Sequence, residues 1–232
     1  TVVPPQMREG PEWFQGTADA VYQNLALIEA NDPDIVAVFG ADHVYRMDLR
    51  QMVKFHLARD ADVSVAALPV PRSQASAFGV IDCDAEGRIR NFVEKPPSPP
   101  AMPDDPDRAY ASMGNYIFRT STLIGALVEA RDRRSTDFGR DVLPRLIRTH
   151  RVFAYDFALN SCPGLQPYEE ANYWRDVGTI EAYYEATRDT LGAEPRFDLM
   201  NPSWPVRSSN YHGAPASFGA ARIEDSDIGP GV

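Results

Sequence analysis

Two aspartates, Asp42 and Asp176, are the residues whose type and setting point most directly to chemistry. Asp42 follows the apolar, β-branched run 35–39, which predicts a buried parallel strand, and open α/β sheets bind ligands at the carboxyl ends of such strands. Asp176 precedes a helix that is predicted to begin near Thr179, so it too lies at a strand-to-helix turn. If the fold brings these carboxylates together, they can hold one hard cation such as Mg²⁺ and leave positions for phosphate oxygens. That arrangement suits phosphoryl or nucleotidyl transfer.

A second candidate group is segment 92–96, where Glu94 and Lys95 stand just before a proline at the end of a predicted strand. Lys95 is notable because Lys54 is the only other lysine in the chain. Glu94 could accept hydrogen bonds from sugar hydroxyls, and Lys95 could meet a sugar phosphate. The ordinary alternative is an exposed ion pair of little consequence. The position after a strand adds some weight to the ligand-binding interpretation.

Segment 13–21 combines a glycine turn with small residues at the start of a predicted helix. Such a turn lets a flat base approach the backbone closely, and Gln15 could offer its amide to that base. An ordinary capped helix, with aromatic residues covering its entry, explains the same residues equally well. The spacing does not decide between these two interpretations.

Gly79 and Gly114 each stand where a strand is predicted to begin, as expected if a ligand packs against the backbone there. Either glycine could equally mark a β-bulge. The triplet 137–139 has the letters of the kinase metal-binding motif but none of its companion motifs, so it is interpreted as a helix N-terminus.

The histidines and cysteines provide no zinc-site spacing and no disulfide framework. His43, beside Asp42, is the only histidine expected near the site. We interpret it as a structural or supporting group rather than a base, because phosphoryl transfer depends mainly on positioning and charge neutralisation. Cys83 and Cys162 are interpreted as packing residues.

The bulk properties exclude several classes of protein. A hydrophobic content of 44% in 232 residues is ample for a packed core, so a disordered chain is not expected. A formal net charge of -10 argues against a nucleic-acid partner, which would need clustered lysine and arginine. The sequence shows no membrane span and no signal segment, and its cysteine usage fits a reducing cytoplasm. We therefore expect a cytoplasmic protein without a membrane or nucleic-acid partner.

The hydrophobic periodicity predicts an α/β fold with a mixed sheet. A proline-rich stretch, 96–106, is predicted to be a surface loop. Regular patterning ends near residue 200, and Ile223, Ile228 and Val232 are spaced like the inward positions of a hexapeptide β-helix. Helices are predicted at 17–30, 48–59, 121–131, 137–149 and 179–191, and strands at 35–40, 62–68, 79–82, 88–93, 115–118 and 152–157.

Taken together, the motifs resemble those of the ADP-glucose pyrophosphorylases (glucose-1-phosphate adenylyltransferases) of bacterial glycogen synthesis. The resemblance covers essentially the whole chain in order and spacing, through segments 13–21, 40–43, 77–80, 92–96, 112–114, 137–141, 173–179 and 201–207. It implies a Rossmann-like, mixed-sheet nucleotidyltransferase domain over 1–200, a linker over 201–221 and the first partial coil of a left-handed β-helix over 222–232.

The resemblance also implies a reaction: ATP and glucose 1-phosphate give ADP-glucose and pyrophosphate by in-line attack on the α-phosphorus. Asp42 and Asp176 would hold Mg²⁺, and Lys95 would join them as a catalytic residue that grips the sugar phosphate. A cytoplasmic, allosterically regulated homotetramer is the implied assembly. The remaining substrate-binding roles fall to Glu94 and Gly79 for the sugar, to Gln15, Gly16 and Thr17 for the adenine, and to Ser112 and Gly114 for the lining of the same pocket.

The chain departs from the family pattern at its start, where nothing before Trp13 resembles the family's glycine-rich phosphate loop. Preorganised donors of this kind are usually worth orders of magnitude in rate. We therefore expect the chain to be a fragment that lacks the loop and most of the β-helix, and to be poorly active alone. Ala41, where the family more often has glycine, is a minor departure.

Two alternatives stay open. The first is a pyrophosphorylase for another sugar nucleotide, such as UDP- or dTDP-glucose, which base preference at Gln15 and Thr17 would distinguish. The second is a non-catalytic regulatory or ligand-binding subunit of the same fold. The presence of Asp42, Lys95 and Asp176 argues against the second alternative.

Overall fold

The computed structural model describes residue 3, residues 13–206 and residues 222–224 of the chain. The chain divides into two compact units, and each is described by itself. Unit 1 comprises Thr1–Gly40 and Leu49–Leu159, and unit 2 comprises Ala41–Asp48 and Asn160–Val232. None of the helices in the described ranges has the length and apolar character that a bilayer span requires.

The regular elements alternate between helices and strands. The strands are β1 Ile35–Val38, β2 His43–Tyr45, β3 Val63–Pro71, β4 Gly79–Cys83, β5 Ile89–Glu94, β6 Arg108–Arg119, β7 Val152–Asp156 and β8 Trp174–Asp176. The α-helices are α1 Thr17–Tyr22, α2 Leu25–Asn31, α3 Leu49–Ala58, α4 Thr120–Asp132, α5 Leu143–Thr149 and α6 Ile180–Arg188, and a π-helical turn, Phe138–Val142, leads into α5.

Unit 1 is built on one six-stranded sheet in the order β5-β4-β6-β3-β7, with β1 also paired to β6. β3 and β7 are parallel, and the other pairs are antiparallel. The prediction of a mixed sheet in an α/β fold is therefore confirmed. Because strand side chains alternate between faces, Val63 and Val65 join Phe118, Leu127 and Phe138 in the main core.

The opposite face of this sheet is covered by α3. His56, on the last turn of α3, is 1% exposed, and its Nδ1 lies 2.9 Å from the hydroxyl of Ser64 on β3. Burial and the nearby Arg119 guanidinium lower the pKa of His56, so the imidazole is held neutral inside the protein. α3 is thereby fixed on the sheet just after the point where the chain returns from unit 2.

The prediction of a buried parallel strand at 35–40 is wrong in both orientation and burial. β1 pairs antiparallel with β6 and is only partly buried, with Ala37 exposed. An apolar run records a preference for extended backbone, but it does not encode the direction of the partner strand. Asp42 consequently does not follow a parallel strand, and it lies in unit 2, directly before β2.

Most of the other predicted elements are present, with shifted ends. The predicted helix 17–30 is two helices, because the chain breaks at Asn24, whose side chain donates to the carbonyl of Ala20 at 2.8 Å. The strand predicted at 115–118 extends over the whole of β6. The helix predicted at 137–149 opens with the π-helical turn. The hairpin of β4 and β5 is as predicted.

Unit 2 holds the two-stranded antiparallel pair β2-β8, in which His43 is opposite Asp176 and Tyr45 is opposite Trp174. The sequence analysis did not predict β2. α6 follows β8 after the cap at Thr179, whose hydroxyl accepts from the N–H of Ala182 at 3.1 Å. Of the predicted linker and β-helix coil, residues 207–221 and 225–232 lie outside the described residues, so that domain boundary stays a prediction.

Candidate functional site

The two aspartates singled out by the sequence lie together in unit 2. One ligand atom from each of Asp42, His43 and Asp176 falls within 4.8 Å of the others. Strand pairing produces this meeting, because β2 sets His43 opposite Asp176, and the N–H of Val177 donates to the carbonyl of Asp42 at 2.8 Å. The expected convergence of Asp42 and Asp176 is thus present in the structure, although a different strand arrangement achieves it.

The two carboxylates are held differently. Asp176 accepts a hydrogen bond from the N–H of Gly178 at 2.9 Å, which orients one of its oxygens. The Asp42 side chain is 63% exposed, and its Oδ1 lies 3.6 Å from Nε2 of His43. Neither carboxylate forms an ion pair with any lysine or arginine among the residues that the structure describes. The pair therefore presents two neighbouring negative charges without a protein counter-ion.

His43 is the fixed member of this group. Its side chain is 12% exposed and meets the Trp174 ring edge-on, with 5.1 Å between centroids. Its Nδ1 is buried and has no hydrogen-bond partner among the described residues. These contacts hold the ring beside Asp42, which agrees with the interpretation of His43 as a supporting group. They also leave Nε2 available as a third metal-ligand atom.

The donor set of this group fits a magnesium ion. Mg²⁺ prefers carboxylate oxygen and water, and it is usually bound by one or two carboxylates together with substrate phosphates. Asp42 and Asp176 supply two such groups on an exposed surface, where water and phosphate oxygens have access. A histidine nitrogen is a poorer ligand for this ion than for zinc or other transition metals. We therefore assign the ligand role to the two aspartates only.

In unit 1, Gly79 and Glu94 face each other across the hairpin of β4 and β5. A Cβ atom on Gly79 would lie 2.9 Å from Oε2 of Glu94 and 2.6 Å from Cζ of Phe92. The missing side chain is therefore what lets the Glu94 carboxylate lie over the backbone of β4. The two residues expected to contact a sugar are adjacent in space.

Lys95 follows Glu94 in a left-handed backbone conformation, with φ of 47°, and its N–H donates to the carbonyl of Phe78 at 3.0 Å. Its side chain is exposed. Lys95 and Glu94 form no ion pair with each other or with another described residue. The alternative of an ordinary surface ion pair is therefore not what the structure shows, and both charged groups are available to a ligand.

Replacing Gly79 with alanine is expected to destabilise unit 1 by about 1–3 kcal/mol, the usual result of overpacking. The new methyl group would overlap the buried Phe92 ring and displace the Glu94 carboxylate. Urea unfolding of the purified chain measures the effect. Gly125→Ala is the matched control, because a Cβ there meets nothing within 4 Å, and it should stabilise α4 by up to about 1 kcal/mol. Equal stability of Gly79→Ala and the parent would contradict the prediction.

Gly16 and Thr17, at the start of α1, are anchored to the segment that precedes α5. A Cβ on Gly16 would lie 2.5 Å from the carbonyl oxygen of Thr136, which accepts hydrogen bonds from the start of α1. Thr17 donates to Asp137 at 3.2 Å and accepts from the N–H of Phe138 at 3.1 Å. Close packing between two segments of unit 1 thus accounts for Gly16, and its role toward a base stays a prediction.

Gln15 makes its hydrogen bonds locally. Its amide donates to the carbonyl of Trp13 at 2.8 Å, and its backbone N–H donates to Asp19 at 2.8 Å. The N-cap Gly16 makes no side-chain cap, and Trp13 is 63% exposed, so these contacts support only the local part of the capped-helix interpretation. The Gln15 side chain remains on an exposed part of the surface, where a base could compete for the amide.

Asp137 begins a helical segment, as the sequence predicted. Its carboxylate accepts from the N–H of Arg140 at 2.8 Å while it also accepts from Thr17. In the same turn, the Arg140 guanidinium and the N–H groups of Asp137 and Thr136 outweigh burial and lower the pKa of Asp141 to about 2. Asp137 is a residue that the sequence analysis did not connect with the site, although it supports Thr17 directly.

Ser112 and Gly114 lie within β6 rather than at its start, which corrects the sequence interpretation. Gly114 has a φ of 71°, beside a register shift between β3 and β6, so the alternative of a bulge is correct there. Ser112 accepts a hydrogen bond from the N–H of Gly114 at 3.3 Å, which ties it to the bulge. Further along β6, the Tyr116 ring is 5.7 Å from that of Phe138.

Comparison with known proteins places these observations in context. Residues 2–192 match the nucleotidyl transferase family. Glucose-1-phosphate adenylyltransferase of Thermodesulfovibrio yellowstonii is 56% identical over 233 residues, which cover 100% of this chain and 57% of that protein. The enzyme of that name from Anaeromyxobacter dehalogenans is 51% identical over 98% of this chain and 56% of its own length. The one from Mycobacterium tuberculosis H37Ra is 50% identical over 100% of this chain and 58% of its own length. The resemblance found in the motifs is thereby confirmed, and the chain spans less than two thirds of each of these relatives.

Proposed function

Because this chain belongs to the nucleotidyl transferase family, we propose that the protein that contains it makes ADP-glucose and pyrophosphate from ATP and glucose 1-phosphate. The observation that carries the proposal is the meeting of Asp42 and Asp176 in one exposed group without a counter-ion from the described residues. The printed names of relatives at 50–56% identity supply the choice of substrates.

In unit 2, Asp42 and Asp176 are the residues that would hold Mg²⁺, which when bound offsets negative charge on phosphate oxygens. His43 supports Asp42 from its position against Trp174. Two carboxylates alone would repel the phosphates of ATP, so these residues can serve the reaction only together with a cation. The reaction itself forms a bond from a sugar-phosphate oxygen to the α-phosphorus and breaks the bond to the leaving pyrophosphate.

In unit 1, Glu94 accepts hydrogen bonds from sugar hydroxyls, and Lys95 pairs with the sugar phosphate. Both roles are supported by the unpaired, exposed state of these side chains and by the space that Gly79 leaves. Charge-assisted hydrogen bonds of this kind are roughly twice as strong as neutral ones. Gln15, Gly16 and Thr17 receive the adenine, while Ser112 and Gly114 line the same pocket. Asp137 holds Thr17 in position.

We also infer that the protein acts in the cytoplasm as a homotetramer. Cys83 and Cys162 are both buried and free, which is the usual state of cysteine in a reducing compartment. Light scattering on the purified product of the complete gene tests the assembly. A monomer at micromolar concentration would refute the homotetramer.

The proposed reaction is tested by pyrophosphate release with glucose 1-phosphate and Mg²⁺, comparing ATP with UTP and dTTP. The protein is the complete product of the gene that encodes this chain, with the 232-residue chain assayed beside it. ATP is expected to be preferred by at least tenfold. Preference for UTP or dTTP would replace the proposal with another sugar-nucleotide pyrophosphorylase. If the folded protein releases no pyrophosphate with any nucleotide, the ligand-binding subunit becomes the better account.

A further inference from the structure

A cavity of about 400 Å³ opens between α4 and α5 in unit 1. Ala126 and Leu146, which belong to the main core, form its floor. Arg133, Arg145 and Arg148 stand among the residues around it. We call this cavity the groove. None of the residues assigned above to the sugar, the base or the cation lines it, so the proposed reaction does not explain it.

The groove carries an excess of positive charge. Its one carboxylate, Glu129, is already paired with Arg133, with 2.9 Å between Oε1 and Nε. Arg145 and Arg148 form no ion pair with any residue that the structure describes. The chain as a whole has a net charge of -10, so clustered and uncompensated arginines run against its general character. Their mutual repulsion would be relieved by a bound anion.

Arg145 also leaves a donor unused. Its Nη2 atom is buried and has no hydrogen-bond partner among the described residues. A buried donor without a partner is costly, and native proteins contain few of them. Because Arg145 lines the groove, an oxygen atom of a ligand in the groove could accept this hydrogen bond.

Gly125 provides an independent observation on the same groove. It lies in the interior of α4, where glycine is less favourable than alanine by up to about 1 kcal/mol. A Cβ at Gly125 would meet nothing within 4 Å, and its backbone is not left-handed, so neither packing nor conformation requires glycine. Because Gly125 lines the groove, the missing side chain leaves the space beside α4 free for a ligand.

We propose that this groove is a binding site for a small phosphorylated metabolite. A guanidinium group is planar, permanently charged and able to donate two parallel hydrogen bonds to phosphate oxygens. Arg145 and Arg148 supply the charge for the phosphate, and the Ser121 and Thr122 hydroxyls, which also line the groove, supply neutral donors. The apolar floor at Ala126 and Leu146 accommodates the carbon skeleton of the ligand.

Calorimetric titration of the 232-residue chain with inorganic phosphate at constant ionic strength tests the site, with malonate as a dicarboxylate of similar charge. Phosphate is expected to bind with a dissociation constant of about 1 mM or tighter. The variant R145Q/R148Q should weaken it at least tenfold, whereas K54Q/R188Q removes two exposed charges elsewhere and should leave it unchanged. Equal phosphate affinity in both double variants would overturn the proposal. Malonate binding as tight as phosphate would overturn the phosphate class.

Two further variants guard against a folding artefact. Gly125→Leu fills the groove without a change in charge and should abolish phosphate binding there, whereas Gly125→Ala should retain most of it. Far-ultraviolet circular dichroism checks that both variants fold. Phosphate binding that survives Gly125→Leu would overturn the proposal. Pyrophosphate release in the variants is measured separately, so failure of this site and failure of the proposed reaction are distinguishable.

Discussion

Replacing Asp42 with asparagine is expected to lower kcat of the complete gene product by at least about three orders of magnitude. The substitution keeps the size of the side chain and removes its charge, so one of the two neighbouring carboxylates can no longer balance a cation. Asp176→Asn should have an effect of similar size. Pyrophosphate release under saturating ATP and glucose 1-phosphate measures both variants.

Two controls make the Asp42 result specific. Asp107→Asn alters an exposed carboxylate that takes part in no ion pair with a described residue, and it should leave kcat within about twofold of the parent. His43→Gln removes the nitrogen donor and keeps both carboxylates, so its loss should be much smaller than that of Asp42→Asn. Near-normal kcat in Asp42→Asn would refute the metal-binding role, as would a larger loss in His43→Gln.

A direct binding measurement separates the cation from the chemistry. Mn²⁺ can replace Mg²⁺ at many oxygen-ligand sites and is detected by electron paramagnetic resonance. Titration of the parent chain should show a bound fraction that falls in Asp42→Asn and in Asp176→Asn but not in Asp107→Asn. Equal Mn²⁺ binding in all four proteins would mean that this group does not hold the cation.

Residue types and local signals predicted part of the site. The part that they did not predict depends on strand pairing, for a physical reason. Asp42 and Asp176 carry a recognisable chemistry, and Gly79 with Glu94 follows from a hairpin whose alternation and turn residues are local signals. The strands β2 and β8, which bring Asp42 and Asp176 together, have only three residues each and are too short to show a period.

The errors have a common cause in tertiary context. The run 35–39 has the composition of a buried strand, yet the orientation and burial of β1 depend on β6, more than seventy residues later. Gly114 was expected at a strand start, but the bulge that requires it is defined by the register with β3. Arg46 was not singled out at all, because its partner Glu169 is 123 positions away. No local pattern reports such a pairing.

That buried ion pair is the basis of the second large prediction. The side chains of Arg46 and Glu169 are 5% and 3% exposed, with 2.8 Å between Nη1 and Oε2. Glu169 also accepts hydrogen bonds from the N–H groups of Gln166 and Asp198, and Arg46 donates to the carbonyl of Asp198 and lies over the ring of Phe197. The pair therefore joins the end of β2 to two other segments of unit 2, 166–169 and 197–198.

Arg46→Met is expected to destabilise unit 2 by about 3–5 kcal/mol, because it leaves the Glu169 carboxylate buried without a countercharge. Hydrogen exchange at the amides of β2 measures the loss locally. The double variant Arg46→Met with Glu169→Met removes both charges, so it should regain a large part of this stability. Arg90→Met is the control, because the Arg90 side chain is 67% exposed and its pair with Asp84 should contribute less than about 1 kcal/mol. Equal losses in Arg46→Met and Arg90→Met would contradict the prediction.

The pH dependence of the same pair gives an independent check. Burial opposes ionisation of Glu169, but Arg46 and the two N–H groups outweigh it and hold the pKa of this carboxyl below its ordinary value. A lowered pKa in the folded state contributes stability above the ordinary glutamate range, and that stability is lost as the pH falls through the folded pKa. In Arg46→Met the pKa of Glu169 should rise, so the stability that unit 2 loses through this carboxyl as the pH falls should be smaller than in the parent. Arg46→Met should also weaken Mn²⁺ binding, because β2 begins at His43, directly after Asp42. If Mn²⁺ binding stays intact while β2 is destabilised, the ion pair does not support the cation site.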